Sequence, residues 1–159
     1  MVYDNYGRQT SLSDQNAGTV IYGYNNLGEL TSQTDSRNLT RSLTYDNLGR
    51  VITQVSPEGT KTFTYDPSGN PGLLSSVTFP GGSETYNYDP NSRLTGKVEN
   101  IDGTSYTTSY GYDSCSRLET ITYPSNFAIK NQCRLVKPWN LFCKYIETAY
   151  LYRTSKNHV

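Results

Sequence analysis

The chain has one histidine, one tryptophan and three cysteines among its 159 residues. Its single histidine, His158, is next to last, so no Ser–His or Cys–His nucleophile pair can be argued from it. Cys115, Cys133 and Cys143 are an odd number without paired spacing and define neither a disulfide framework nor a zinc site. No apolar run reaches the length of a membrane span. The repeat described below starts at once, at Met1-Val2-Tyr3, so no signal peptide is expected in this chain. No glycine-rich phosphate loop precedes a helical pattern. Charged residues make up 18% and apolar residues 34%, both below the usual share for a compact domain. With these parts missing, the expectation is a chain without catalysis, cofactor or metal, and without nucleic acid as a partner.

What fills the composition is Thr, Ser, Asn, Gly and 15 Tyr. That mixture is too aromatic and too weakly charged for a disordered chain. It suits narrow strands with one buried face. The tyrosines are ordered in a pattern, Tyr-Asp-x-x-Gly-Arg-Leu, that begins at Tyr3, Tyr24, Tyr45, Tyr65, Tyr88 and Tyr112, with spacings of 21, 21, 20, 23 and 24 residues. A period in the twenties marks a stack of small units, none able to bury its own apolar face.

Each unit reads as two strands and two turns. In the lead strand, residues two apart share a face. Tyr22 with Tyr24, Leu43 with Tyr45, Phe63 with Tyr65, Tyr86 with Tyr88 and Tyr110 with Tyr112 therefore form one apolar stripe. Next comes a tight turn in which Asp4, Asp46, Asp66, Asp89 and Asp113 can accept backbone N–H bonds as Asx-turns. Gly7, Gly28, Gly49 and Gly69 supply the left-handed residue that closes it. Ser92 and Ser116 replace that glycine in the last two copies, where a strained or differently shaped turn is expected. Arg8, Arg50, Arg93 and Arg117 follow, within reach of a turn aspartate. A return strand such as Val51-Ile52-Thr53-Gln54-Val55 alternates, placing Val51, Thr53 and Val55 on one face. Second turns at Asn16-Ala17-Gly18, Pro57-Glu58-Gly59, Pro80-Gly81-Gly82 and Ile101-Asp102-Gly103 complete the units. Successive hairpins without helices give an all-β, antiparallel hairpin array over residues 1–129.

The recurring Y-D-x-x-G-R-L, with its lead-in Gly59-Thr60…Thr64-Tyr65-Asp66 or Gly103-Thr104…Tyr110-Gly111-Tyr112, resembles the YD repeat of the RHS family. The resemblance covers about residues 1–129. It implies a β-strip that forms part of a spiral, hollow shell, which in bacterial members encloses a C-terminal toxin or effector. It also implies a secreted or cell-surface setting, and partners that are further repeats or an encapsulated toxin domain of a parent protein. The segment where such shells end and cleave themselves is not recognisable here. Asp66-Pro67 and Asp89-Pro90 are turn residues.

Residues 130–159 leave the pattern: they carry 6 bases and 1 acid, against 8 bases and 13 acids in residues 1–129. Two readings stay open for this tail. One is an extension with a short amphipathic helix, since Leu141, Phe142, Tyr145, Ile146, Ala149 and Tyr150 have helical spacing. The other is an irregular or disordered end read out of frame, which the abrupt change of composition favours.

Two site hypotheses compete with the structural reading of the motif. A calcium ladder along the turn aspartates is disfavoured, because there is one Asp per unit and a basic residue beside it. The aromatic stripe could stack on pyranose rings, making the chain a cell-surface carbohydrate-binding module. Glu58, Glu84, Glu99 and Asp102 lie in or beside turns, and nothing motivates a catalytic carboxylate pair among them. Asn38-Leu39-Thr40 is a glycosylation sequon, of consequence only in a eukaryotic secretory setting.

Overall fold

The computed structural model describes residues 1–137 and 140–146. By its internal contacts the chain divides into two units, Met1–Tyr65 with Leu74–Ser83, and Asp66–Leu73 with residue 84 onward. The first holds β1 (Val2–Tyr3), β2 (Gln9–Asp14), β3 (Gly18–Tyr24), β4 (Leu30–Thr34), β5 (Thr40–Tyr45), β6 (Val51–Ser56), β7 (Gly59–Tyr65) and β8 (Leu74–Phe79). Each strand pairs antiparallel with the one before it in sequence. The second unit holds β9 (Gly82–Tyr88), apart from its first two residues, β10 (Leu94–Ile101), β11 (Thr104–Tyr112), β12 (Leu118–Thr122), β13 (Ala128–Lys137) and β14 (Asn140–Ile146). It follows the same meander. No helix occurs among the described residues.

Cross-strand register gives the first unit two unlike faces. Tyr22 lies opposite Gln33, Leu43 opposite Gln54, and Phe63 opposite Val77, so the aromatic stripe runs down one side. Thr44, Thr53, Thr62 and Thr78 form a continuous row across four strands on the other. Such a sheet has two half-covered faces and very little interior. Val77 is the one apolar side chain buried among the described residues.

The register slips by one residue as each lead strand reaches its motif tyrosine. Thr44 faces Thr53, yet Tyr45 faces Val51, which leaves Ile52 as the extra residue of a β-bulge. The same slip precedes Tyr24, Tyr65 and Tyr112. It corrects the expected alternation of the return strand. Val51 joins the tyrosine face, while Thr53 and Val55 lie on the threonine side, because one bulged residue inverts every side chain beyond it.

The tail also departs from expectation. Asn140–Ile146 is not helical; it is strand β14, paired with β13 from Lys130↔Ile146 to Lys137↔Asn140. A short isolated helix would be marginal, whereas pairing satisfies the backbone groups along β13 that lie beyond its partner β12. Ala149, Tyr150 and His158 lie outside the described residues. The boundary expected at 129/130 falls inside β13.

Candidate functional site

The residues singled out by the motif lie in turns at one edge of each unit, and four of these turns are built alike. In the turn after β5, Asp46 O accepts from Gly49 N at 3.0 Å, and Asp46 N donates to Arg50 O at 2.9 Å. Asp46 Oδ1 accepts from Leu48 N at 2.9 Å and from Arg50 N at 3.0 Å, the expected Asx-turn with a second bond added. Its other oxygen, Oδ2, takes the Arg50 Nε–H at 2.7 Å. Asp4 with Arg8, Asp89 with Arg93, and Asp113 with Arg117 repeat this geometry at 2.6, 2.6 and 2.8 Å. The arginines thus serve the aspartate of their own turn.

Those bonds favour the charged carboxylate. Asp46, Asp89 and Asp113 are held below the ordinary 3.8, chiefly by the backbone N–H of the arginine four residues on and also by its guanidinium. At Asp4 the desolvation of its setting is the largest influence and pushes upward, but the bonds from Arg8 and Tyr6 together outweigh it.

The arginine does a second job, on the following repeat. The Arg8 guanidinium stands 4.9 Å from the Tyr24 ring centre, Arg50 4.5 Å from Tyr65, and Arg93 4.6 Å from Tyr112. Each of these tyrosines then donates its hydroxyl to the carbonyl just after that arginine. Tyr24 reaches Gln9 O at 2.9 Å, Tyr65 reaches Val51 O at 2.9 Å, and Tyr112 reaches Leu94 O at 2.9 Å. Asp, Arg and the next Tyr therefore make a lock across the repeat boundary. Sequence reasoning saw the turn and missed the lock. The signal was available: a motif tyrosine follows each of Arg8, Arg50 and Arg93 at 15 to 19 residues.

The second copy keeps the turn with a neutral amide in place of the aspartate and an acid in place of the arginine. Asn25 accepts the same two N–H groups at 3.0 Å, while its Nδ2 donates to Glu29 at 2.6 Å. Tyr45 still bonds Leu30 O at 2.7 Å. Its own pKa is raised, first by burial and then by the Glu29 charge.

The two serine turns are not differently shaped. Ser92 and Ser116 take φ of 61° and 62° and donate to Asp89 O and Asp113 O at 2.9 and 3.0 Å, as the glycines do. A left-handed non-glycine costs roughly 1–2 kcal/mol. Each hydroxyl offsets part of that with a bond to the turn before it. Ser92 Oγ donates to Asn70 Oδ1 at 3.1 Å, and Ser116 Oγ accepts from Arg93 Nη1 at 3.0 Å.

The fourth copy is the one that differs. Asp66 itself is left-handed at φ 63°, its N–H reaches Leu73 O, and its carboxylate accepts from Gly72 N at 2.6 Å. Gly69 keeps a positive φ of 80° inside this longer loop. Asn70, where four other copies have arginine, is buried, 6% exposed.

The opposite edge carries ties that the sequence did not reveal. Asp35 caps Arg37 and Leu39 as the motif aspartates do, with left-handed Asn38 in the glycine position. Ser36 Oγ donates to Ala17 O at 3.0 Å, one turn back. Gly18 must be glycine there, since a Cβ would lie 2.5 Å from that of Ser36.

The remaining cluster of titratable groups is on β9 and β10. Lys97 Nζ sits 3.1 Å from Glu84 and 2.9 Å from Glu99, and Tyr86 donates to Glu84. Burial first, then the Glu84 bond, pushes the Tyr86 hydroxyl to about 12. Lys97 is raised by its bond to Glu99 and then Glu84. The ammonium occupies the space between the carboxylates, and Glu84 is held in its charged form. This is an internally paired group. Among the described residues no cluster of acids, cysteines or histidines could hold a metal.

These observations define a class first: a structural β-repeat array whose marked residues bond one repeat to the next. Residues 24–61 and 45–71 match the RHS Repeat family model. No curated protein matches in sequence. In structure the chain is similar to TcdB2-TccC3 without hypervariable C-terminal region, with a TM-score of 0.65 at 14% identity over 82% of this chain and 8% of that one. It is similar to TcdB2–TccC3–TEV with 0.61 at 17% identity, over 77% and 7%. It also resembles the Photorhabdus luminescens Tc holotoxin pore, with 0.56 at 21% identity, over 66% and 5%. The chain thus spans less than a tenth of the solved chains it matches. Residues 24–71 resemble RHS repeats, and the chain shares its all-β repeat fold with these solved structures.

Proposed function

We infer that this segment is one arc of a longer YD-repeat wall that encloses a C-terminal toxin or effector in a secreted or surface-exposed parent protein. The observation that carries this is the lock itself. Three of the four Asp–Arg pairs, those of Arg8, Arg50 and Arg93, are completed by the tyrosine of the following repeat, so these units lean on a neighbour. Exposed apolar tips on the turn edge support the same reading: Tyr6 and Leu27 are 84% exposed and Leu48 is 76% exposed. Side chains of that kind fit a surface covered by more protein. The tyrosine stripe does not favour a sugar platform, because the hydroxyls of Tyr24, Tyr45, Tyr65 and Tyr112 are already bonded to backbone carbonyls.

The test is to fuse one, two and three consensus YD repeats to this chain and follow urea unfolding by circular dichroism. In a wall segment the midpoint rises with each added repeat, as nearest-neighbour coupling requires. A cooperative transition whose midpoint ignores the added repeats would refute the reading. For the enclosing role, a reporter protein fused C-terminally within a long repeat array should resist protease while the native wall stands.

A further inference from the structure

We propose that the cleft between the β4–β5 and β6–β7 turns binds a small zwitterion of the amino-acid type, its carboxylate on Arg41 and its ammonium on Glu58. The cleft exists because this edge of the first unit is closed in pairs of turns. Ser36 Oγ ties the β4–β5 turn back to the β2–β3 turn at 3.0 Å. Pro80, in the β8–β9 turn, packs so closely on the β6–β7 turn that a Cβ on Gly59 would lie 2.3 Å from its Cγ. Between the two pairs, no hydrogen bond or ion pair joins the turns among the described residues, and a cavity of about 140 Å³ is left. It lies wholly within the first unit.

The lining carries two charges of each sign, Asp35 and Glu58 against Arg37 and Arg41. One pair is complete in itself. Asp35 Oδ1 accepts from Arg37 N at 2.9 Å and Leu39 N at 3.0 Å, and Oδ2 accepts from Arg37 Nε at 2.9 Å and Nη2 at 2.6 Å. A carboxylate has about four acceptor sites, so Asp35 is full. Arg41 is exposed and has no hydrogen bond or ion pair of its own among the described residues. Register puts Gln33 directly opposite it. Ser56 lies on the same face, one residue beyond Val55, the partner of Ser42. The Ser56 hydroxyl and the residue's own backbone N–H hold the Glu58 carboxyl below its ordinary 4.5, and the charges of Arg41 and Arg37 lower it further. Those two donors leave about two acceptor sites of Glu58 open.

An unpaired guanidinium and a half-used carboxylate therefore line one small cavity. An anion alone would meet the charge of Glu58, and a cation alone would meet that of Arg41. A molecule carrying both charges satisfies both walls through charge-assisted hydrogen bonds. Gln33 adds an amide beside the guanidinium. The small volume favours a ligand with a short side chain.

The experiment titrates the isotope-labelled full chain with L-alanine and follows its proton–nitrogen correlation spectrum. The amides of residues 35–41 and 56–59, with the Arg41 Nε–H, should shift saturably at millimolar alanine. N-acetylalanine lacks the ammonium and alanine amide lacks the carboxylate. Each should bind at least about tenfold more weakly, the worth of a hydrogen bond to a charged group. R41Q and E58Q should weaken alanine by a similar factor, while the rest of the spectrum reports that the fold is kept. Added salt should weaken it too, since both charges face solvent. Equal binding of N-acetylalanine would leave an anion site only, and equal binding of alanine amide a cation site only; either overturns the proposal. Absence of saturable shifts, or alanine binding unchanged in R41Q and E58Q, would overturn it as well.

Discussion

Replacing Tyr112 by phenylalanine isolates one component of the lock. The ring stays 4.6 Å beneath the Arg93 guanidinium, while the 2.9 Å bond from the hydroxyl to Leu94 O is lost. Leu94 is half-buried, so water can partly replace the donor. The cost should be about 1 kcal/mol, near the net value of an ordinary hydrogen bond and short of the penalty for a sealed orphan carbonyl. For a chain of this length that is a fall in Tm of about 2–4 °C. Tyr112→Leu removes the π face as well and should cost more. Double-mutant cycles with Arg93→Met then separate the two contributions. Paired with Tyr112→Leu, the coupling should be about 0.5–1 kcal/mol, the worth of a half-exposed cation–π contact. Paired with Tyr112→Phe, it should be near zero, because the stack survives. Urea melts followed by far-UV circular dichroism supply all the required free energies. Equal coupling in both cycles would show that Arg93 acts through the hydroxyl, and a silent Tyr112→Phe would remove the hydroxyl from the lock.

Two further outcomes follow from the same geometry. A Cβ on Gly111 would lie 2.2 Å from Thr120 Oγ1 but 3.5 Å from Thr120 Cβ; Gly111→Ala should therefore cost about 1–3 kcal/mol by overpacking, and Thr120→Ala in the same chain should recover most of it, read as the urea midpoint. The acid limb of stability is set by carboxylates whose folded pKa lies below the unfolded one, so their contribution is complete above the ordinary Asp value of 3.8 and is lost as pH falls through the folded values. Unfolding midpoints should be flat from neutral pH down to about 5 and then decline, and Asp46→Asn should make that decline shallower; a loss of stability beginning near neutrality would contradict the turn assignment.

The amino-acid pattern alone determined the architecture. A tyrosine-marked period near twenty residues, with apolar residues two apart and a glycine or serine at a fixed offset, leaves antiparallel hairpins as the consistent local solution. It also determined the turn chemistry, because an Asx-turn is a contact among residues two to four apart. Tertiary structure decided everything that depends on counting across strands. One bulged residue, Ile52, between the pairs Thr44–Thr53 and Tyr45–Val51 places Val51 on the tyrosine face and Val55 away from it, and no alternation pattern encodes where that residue is inserted. The pairing of Arg93 with Tyr112 and the bond from Ser92 to Asn70 are likewise set by register. Tail residues Leu141 to Ile146 have helical spacing and form a strand, because an unpaired edge of β13 offers their backbone more than a lone helical turn can. Local sequence chooses the turns; the neighbouring strand chooses the partners.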